Sequence, residues 1–279
     1  GSLAVSTSDY RLSIDFGSGS ITSLFHRRTN RELVDASAGG LSQYIYVPGR
    51  DPAQAVAAGP GRVRILEEGP LVWRVEITAP GEGLREPAVT TVTLVEGMDR
   101  VYLANRVAKE WILDPEAVLY RFPFAVPDPE VRIDQPFGSF RPELDQVPGS
   151  CKNYYSVQRW VDVSNREWGV TFTSVDAPLI QMGEIRSDPT VAGWVEKAEP
   201  SATLYSYVMN NYWETNYRAA QDDEVVFRYS VAAHGPFDEE RAKRFGLEEA
   251  RPLVVRAGAL RGSVPAPDSS GRDGPQRDR

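Results

Sequence analysis

The chain is poor in the residues that most often hold metals and disulfides. Its 279 residues include one cysteine, Cys151, and two histidines, His26 and His234. A single cysteine excludes an internal disulfide framework and favours a reducing compartment such as the cytoplasm. The two histidines are far apart, and neither has a cysteine or a second histidine at ligand spacing. The sequence therefore predicts no zinc site held by this chain alone.

Long apolar runs and basic clusters are also lacking. No apolar run approaches the ~20 residues needed to cross a bilayer. Gly1 and Ser2 are typical of a tag remnant rather than of a signal peptide. With 31 basic against 39 acidic residues the formal net charge is −8, and no basic patch offers a surface to a phosphate backbone. Neither nucleic acid nor a membrane is therefore expected as a partner.

The familiar catalytic motifs are absent as well. There is no G-x-S-x-G nucleophile turn, and the glycine–serine run at 17–20 leads into a predicted strand, not a helix. His234 ends another predicted strand and is interpreted as a structural histidine. Acid/base catalysis needs two carboxylates across a bond, and the sequence does not single out such a pair. We therefore expect the chain to be inactive by itself.

What the chain does contain is a long series of strand patterns. Residues 10–26 alternate apolar and polar side chains around the flexible run at 17–20, as in a β-hairpin. Similar alternation continues to about residue 107 and resumes over residues 156–234. Residues 109–156 are rich in proline, so an edge strand and a long loop are expected there. The predicted fold class is all-β, a large antiparallel β-sandwich.

A single short C-terminal helix is predicted at residues 237–250, where acidic side chains crowd the first turn and favour the helix dipole. The sandwich is predicted to span residues 9–262, after a tag remnant and leader at 1–8. Residues 263–279 have almost nothing apolar to bury and are expected to form a disordered tail.

One stretch late in the strand series combines aromatic rings with amides. Residues 205–221 contain four tyrosines, a tryptophan and three asparagines, with one acid and one base. Strand alternation would place Tyr205, Met209 and Asn211 on one face and Asn210 on the other. Rings that cover C–H faces and amides that bond hydroxyls suit a neutral polyol such as a sugar. The alternative is a structural corner in which asparagines cap loop backbone and the rings belong to the core.

Several segments, taken in chain order, carry a family resemblance. They are “YRLSIDFGSGSITSLFHRRTNRELVD”, “EEGPLVWRVEIT”, “YRFPFAV”, “VQRWVDVSN” with “WGVTFTS”, and “NNYWETNY” followed by “FRYSVAAHG”. Together they resemble the C-terminal β region of the glycoside hydrolase family 38 α-mannosidases. The resemblance covers residues 9 to 260, and the shared order of the segments makes it more specific than any one of them.

The resemblance implies a galactose-mutarotase-like supersandwich and a parent enzyme that hydrolyses α-mannosides with retention of configuration. In that family the aspartate nucleophile and most of a zinc site lie in an N-terminal α/β barrel, which a helical bundle follows. Nothing in this sequence resembles either part. The resemblance therefore implies that the zinc belongs to a missing catalytic barrel, that this chain holds no cofactor, and that barrel and bundle are its partners.

The resemblance also nominates substrate-binding residues. “QYIYVP” is similar to a segment whose first aromatic side chain touches the substrate, which nominates Tyr44. A second segment that the resemblance places near the substrate is “MNNYWETN”. Some family branches carry an arginine pair there, and this chain has Asn210 and Asn211. Trp213 and Arg159 are further candidates. The expected ligand is an α-mannoside or another carbohydrate.

Four functions remain open at this stage, and one of them is a purely structural domain for partner interaction, in which mutation of Tyr44 would leave the activity of the assembled enzyme unchanged. The leading hypothesis is a half-site domain that packs on the barrel and helps to shape the substrate pocket, which would leave an exposed apolar patch on this chain. A free-standing carbohydrate-binding module would instead bind a mannoside by itself. A mutarotase-type aldose epimerase would need a histidine acid and a glutamate base at one sugar ring, and His234 is the only plausible histidine.

Overall fold

Antiparallel strands make up most of the regular structure. The computed structural model describes residues 1–186, 188–213, 216 and 218–255. The strands in chain order are β1 (Ser2–Ser6), β2 (Tyr10–Asp15), β3 (Ser20–His26), β4 (Arg31–Glu32), β5 (Gln43–Pro48), β6 (Val56–Ala57), β7 (Arg62–Glu68), β8 (Val72–Ala79), β9 (Leu84–Val95), β10 (Val101–Lys109), β11 (Glu116–Pro123), β12 (Glu130–Gln135), β13 (Gly138–Phe140), β14 (Tyr155–Ser156), β15 (Trp160–Ser164), β16 (Gly169–Ser174), β17 (Leu179–Met182), β18 (Thr203–Asn210) and β19 (Glu224–His234). The helices are α1 (Pro189–Ala192) and α2 (Glu239–Ala250), with a 3₁₀ turn at Pro52–Gln54.

The strands form three sheets around one main core. The four-stranded sheet has the order β1-β2-β3-β4, the nine-stranded sheet β13-β12-β15-β16-β19-β10-β9-β8-β7, and the six-stranded sheet β14-β17-β18-β11-β5-β6. Rings from the two larger sheets meet in this core. The ring of Phe122 on β11 lies 4.5 Å from that of Phe172 on β16 and 4.8 Å from that of Tyr229 on β19, measured between centroids. The predicted all-β antiparallel sandwich is confirmed.

Helix α2 closes part of the outer face of the nine-stranded sheet. Every residue of β15 and β16 is buried, because the inner faces of both strands pack in the core and α2 packs on β15 and β16 from outside. The Asp238 side chain caps the helix by accepting hydrogen bonds from the backbone N–H groups of Glu240 and Arg241. The helix predicted at 237–250 is confirmed. No helix in the described part of the chain is long and apolar enough to cross a bilayer.

The proline-rich middle of the chain departs from expectation. Strand β11 lies between β5 and β18, inside the six-stranded sheet, and seven of its eight residues are buried. The expectation of only an edge strand and a loop in this region was wrong. Pro115 precedes β11 and Pro123 ends it, so neither proline removes a hydrogen bond from the middle of the ladder.

A bulge changes which side chains of β18 share a face. Leu119 pairs with Tyr207 and Val118 pairs with Met209, which leaves Val208 as the extra residue. Met209 consequently joins the main core, whereas Tyr205 and Tyr207 belong to a second cluster on the outer face of the six-stranded sheet. The predicted alternation, with Tyr205 and Met209 on one face, was therefore wrong beyond the bulge.

The structure describes the first residues of the chain but not the last ones. The segment assigned to a leader, residues 1–8, contributes β1, which pairs with β2 along its whole length and buries Val5. This segment is thus part of the four-stranded sheet. The predicted disordered tail, residues 263–279, lies outside the described residues.

Candidate functional site

The candidate site lies where the chain crosses from one large sheet to the other. Lys109 ends β10 in the nine-stranded sheet, and Glu116 begins β11 in the six-stranded sheet. The connection 110–115 joins them. Lys109 Nζ lies 2.6 Å from Glu116 Oε1, and the two side chains are only 2% and 7% exposed. A buried ion pair therefore anchors both ends of this connection.

Tyr46 contacts both members of the buried pair. Its hydroxyl donates to Glu116 Oε2 at 2.8 Å, and its ring centroid lies 5.9 Å from Lys109 Nζ. Burial raises the pKa of the Tyr46 hydroxyl well above its usual range, and the hydrogen bond to Glu116 adds to that effect. Both carboxylate oxygens of Glu116 are thus occupied. The cluster stabilises the corner that Lys109, Glu116 and the connection 110–115 form between the two sheets. It offers no free carboxylate for proton transfer.

Asn211 ties the end of β18 to the same corner. Its Oδ1 accepts a hydrogen bond from the Glu116 backbone N–H at 2.6 Å, and its own backbone N–H donates to the Glu116 carbonyl at 3.2 Å. Its Nδ2 donates to the carbonyls of Ile112 and Asp114 at 3.3 and 2.8 Å. Asn211 is therefore a backbone cap for the connection 110–115, as in the structural-corner interpretation.

Asn210, the neighbouring residue, is placed differently. Its Oδ1 is buried and has no hydrogen-bond partner among the described residues. It lines a cavity of about 60 Å³ together with Lys109, Glu116 and Arg218. That volume holds about two water molecules, whereas sites for small-molecule ligands are usually about 300 Å³ or larger. The described residues thus form the floor of a site and not a complete pocket.

The two segments that Asn211 joins carry exposed apolar side chains. Trp111 and Leu113, in the connection held by Asn211, are 52% and 62% exposed, and Trp213, two residues after Asn211, is 45% exposed. The guanidinium of Arg218 lies 4.8 Å from the centroid of the Trp111 ring. We call Trp111, Leu113 and Trp213 the tryptophan patch. Large apolar side chains grouped around a polar cavity are typical of a surface that another molecule covers.

Tyr44 lies behind the corner rather than at the surface. It is on the same face of β5 as Tyr46, and its hydroxyl donates to the Glu82 carbonyl at 2.7 Å. Burial raises the pKa of this hydroxyl, and the negative charge of Glu116 adds to that effect. A Cβ on Gly81 would lie 2.7 Å from the Tyr44 ring, so the loop before β9 covers it closely.

Arg159 belongs to a different part of the molecule. Its Nε donates to Asp134 Oδ2 at 3.0 Å and its Nη2 to Gln158 Oε1 at 2.8 Å. Burial raises the pKa of Asp134, although Arg159 acts to lower it. Gly246 of α2 packs against the Arg159 Cβ. The structure thus brings Asn210, Asn211 and Trp213 together, with Tyr44 behind them and Arg159 elsewhere.

Four residues of the corner were not singled out by sequence reasoning. Lys109 and Glu116 are separated by a segment without strand pattern, and nothing in the sequence pairs their charges. Tyr46 lies in the segment “QYIYVP”, from which only Tyr44 was predicted to bind substrate. Trp111 is an exposed aromatic residue, and its segment is joined to the end of β18 only through the hydrogen bonds of Asn211.

His234 is fully engaged inside the protein. Its Nε2 lies 2.7 Å from Asp162 Oδ2 and its Nδ1 lies 2.8 Å from the Gly235 carbonyl, and the side chain is buried. Its acidic partner is an aspartate, whereas an epimerase of the mutarotase type would need a glutamate base. Within the described residues, no group of three or more His, Cys, Asp or Glu side chains is placed to hold a metal ion.

Comparison with known proteins identifies relatives of this fold. The profile of the glycosyl hydrolases family 38 C-terminal domain matches residues 5–176. An α-mannosidase from Enterococcus faecalis V583 superposes with a TM-score of 0.63 at 13% identity, covering 88% of this chain and 31% of that one. A second E. faecalis structure, a protein in glycosyl hydrolase family 38, has the same TM-score and identity, with 88% and 32% coverage. This chain therefore spans about a third of the length of those two proteins.

A galactose mutarotase related enzyme from Lactobacillus acidophilus also matches, with a TM-score of 0.47, 10% identity, and coverage of 86% of this chain and 99% of that one. No curated protein matches the chain at the level of sequence.

Proposed function

The chain belongs to the family of glycosyl hydrolase family 38 C-terminal domains, and from that premise we propose that it is the non-catalytic half of an α-mannosidase-type enzyme. In this proposal it packs against a catalytic barrel and helical bundle outside this chain and helps to form the mannoside pocket. By itself it is inactive. The lengths of the two E. faecalis proteins, about three times that of this chain, support a larger parent.

The observation that carries the proposal is the exposed tryptophan patch next to a small, incomplete cavity. The Trp111 ring contacts Arg218, which lines the cavity together with Asn210 and the Lys109–Glu116 pair. Leu113 lies between the two residues whose carbonyls Asn211 bonds, and Trp213 is two residues after Asn211. Buried tryptophans dominate the energy of many protein interfaces. A partner that covered the patch would bury these rings and would also enclose the space above the floor. Binding of the partner would then also complete the pocket.

The polar groups at the floor suit a neutral sugar. The unpartnered Asn210 Oδ1 is an acceptor for a sugar hydroxyl, and a tryptophan ring covers sugar C–H faces. Tyr44 would act from behind, through Tyr46 and Glu116, because its own hydroxyl is bonded to Glu82. Asn211 would hold the connection that presents Trp111. Arg159 has no part in this pocket.

Zinc has no site on this chain in the proposal. The residues present do not fit a metal, since the described part of the chain groups no three candidate ligands. We therefore assign zinc to the catalytic barrel and derive no step through it here. A reducing compartment remains our expectation from the single cysteine, Cys151.

The experiment that tests the proposal measures association with the separately expressed catalytic region of the parent enzyme. Sedimentation of the mixture should show a one-to-one complex, and the double variant Trp111→Ser/Trp213→Ser should weaken it at least about tenfold. Leu71→Ser is the matched control, because Leu71 is 68% exposed on the hairpin between β7 and β8. That change should leave association intact.

Titration of the chain alone with methyl α-mannoside separates the proposal from a free-standing carbohydrate-binding module, which the aromatic residues near Asn210 would also suit. Such a module would bind methyl α-mannoside without any partner, and Trp213→Ser would abolish that binding. Affinity for the sugar together with no association with the catalytic region would replace the half-site proposal by the module.

A further inference from the structure

A second concave site lies away from the tryptophan patch, where four connections of the fold meet. The start of β4, the loop between β11 and β12 with the start of β12, the turn between β15 and β16, and the segment before α2 enclose an open groove of about 820 Å³. Among the residues that the structure describes, none lines both this groove and the small cavity at Asn210. The volume is within the range of about 300–1,000 Å³ typical of small-molecule sites.

The floor of the groove has a buried polar atom that bonds to none of the described residues. Ser164 is 1% exposed and lines the groove, and its Oγ has no hydrogen-bond partner among the described residues. Buried polar atoms are rarely left unpaired, so this floor is suited to a polar ligand.

The walls of the groove carry balanced charge. Arg31 pairs with Glu167 at 2.8 Å, and Arg132 pairs with Glu130. In the described part of the chain, the two other charged side chains that line the groove are Arg166 and Asp128. Three guanidinium groups therefore face three carboxylates. This lining offers many donors and acceptors but no net charge, which favours a neutral ligand with several hydroxyl groups over an anion or a cation.

Aromatic rings hold two of these arginines in place. The guanidinium of Arg132 lies 4.1 Å from the centroid of the Phe237 ring, and that of Arg31 lies 5.7 Å from that of Trp168. A guanidinium held over a ring is less free to move, so its N–H donors are preorganised for a ligand. Arg166 is exposed and forms no ion pair with the described residues, so its donors remain open.

From these observations we propose that the groove is a second carbohydrate site, which binds a neutral sugar or short oligosaccharide. Ser164 Oγ bonds a hydroxyl at the floor, and Arg166 closes over the ligand from the rim. This site does not depend on the tryptophan patch. Its role, which rests on the proposed function, is to bind one part of a carbohydrate chain while another part occupies the mannoside pocket.

The test is a titration of the ¹⁵N-labelled chain with methyl α-mannoside and with an α-linked mannotriose, followed by NMR. Signals of the turn 165–168 should shift with the trisaccharide. Ser164→Ala and Arg166→Ala should each weaken binding about tenfold, the loss of one good hydrogen bond. Ser164→Ala should leave the melting temperature unchanged or raise it, because the hydroxyl that it removes bonds to none of the described residues.

Ser174→Ala is the matched control for the buried serine. Its Oγ donates to the Ala177 carbonyl at 2.5 Å, so this change should lower the melting temperature without weakening sugar binding. Asn210→Ala should also leave the groove signals unaffected, which separates this site from the mannoside pocket. The proposal is overturned if neither sugar shifts the turn 165–168, or if both groove variants bind as the unaltered chain does. Tighter binding of inorganic phosphate than of the trisaccharide would overturn it in favour of an anion site.

Discussion

Lys109 and Glu116 form a buried ion pair that joins the two large sheets at the edge of the candidate site. Their charged atoms are 2.6 Å apart, and Tyr46 bonds the second carboxylate oxygen. Glu116 is also the residue whose backbone N–H bonds Asn211. The pair therefore fixes the connection that carries Trp111 and Leu113, and the geometry of the tryptophan patch depends on it.

Removal of one member of this pair should be strongly destabilising. Glu116→Gln leaves the Lys109 ammonium buried without its counter-charge and should lower the free energy of unfolding by about 3–5 kcal/mol. The double variant Lys109→Met/Glu116→Leu should recover a large part of that loss. Urea unfolding followed by tryptophan fluorescence measures both.

A solvent-exposed ion pair provides the control for that experiment. Lys197 and Glu199 are 2.5 Å apart but about 70% exposed, so Glu199→Gln should change the free energy of unfolding by less than about 1 kcal/mol. Equal effects of Glu116→Gln and Glu199→Gln would show that the buried pair does not fix the corner.

Substitution of the two neighbouring asparagines should have different effects, one mainly on stability and the other mainly on activity. Asn211→Ala removes hydrogen bonds to three backbone groups and should cost about 1–3 kcal/mol of stability in this chain. Asn210→Ala removes an oxygen with no described partner and should change stability by less than about 0.5 kcal/mol. Activity of the assembled enzyme should nevertheless fall, by about tenfold in kcat/KM. An Asn210→Ala enzyme with unaltered kcat/KM would remove Asn210 from the pocket.

Sequence patterns predicted the regular parts of the fold well. The hairpin around residues 17–20 and the helix ending at Ala250 were both found, because alternation and capping act over a few residues. The face of Met209 was not predictable, since it depends on how β11 and β18 pair around the bulge at Val208. Local patterns carry no information about such a register.

The candidate site was predictable only in part, for a related reason. Asn210, Asn211 and Trp213 are close in sequence, so an unusual composition was enough to single them out. The role of Asn211 comes from hydrogen bonds to residues almost 100 positions earlier, and Lys109 is part of the site only because β10 and β11 belong to facing sheets. Long-range contacts of this kind are decided by topology.

Asp99 should contribute to stability in a pH-dependent way. Burial acts to raise the pKa of this carboxylate, but hydrogen bonds from His26 and Arg28 outweigh it and lower the pKa from 3.8 to about 2. Because the folded-state pKa lies below the unfolded value, the stabilisation is present above about pH 4 and is lost as the pH falls through 2. Its size is about 1 kcal/mol once solvent screening is allowed for.

The variant Asp99→Asn isolates that contribution. The unaltered chain should lose stability more steeply than Asp99→Asn between pH 4 and pH 2, when the free energy of unfolding is measured at each pH. Curves with the same slope over that interval would contradict the lowered pKa.

Gly246 should be required by the packing of α2 on β15. A Cβ at this position would lie 2.7 Å from Trp160 Cδ1 and 3.1 Å from the Arg159 Cβ. Gly246→Ala gains about 1 kcal/mol of helix propensity, but the overpacking should cost about 1–3 kcal/mol, so the melting temperature should fall. Arg244→Ala, on the exposed side of the same helix, should leave it nearly unchanged. A more stable Gly246→Ala protein would show that the helix is free to shift.

The central claim, that this chain is half of an enzyme, is tested most directly by hydrolysis of an aryl α-mannoside with added zinc. The chain, the separately expressed catalytic region, and their mixture would be compared. The account predicts no turnover by the chain alone and activity on mixing that Trp111→Ser/Trp213→Ser reduces. Turnover by the chain alone that persists after repurification, or a mixture no more active than the catalytic region, would contradict it.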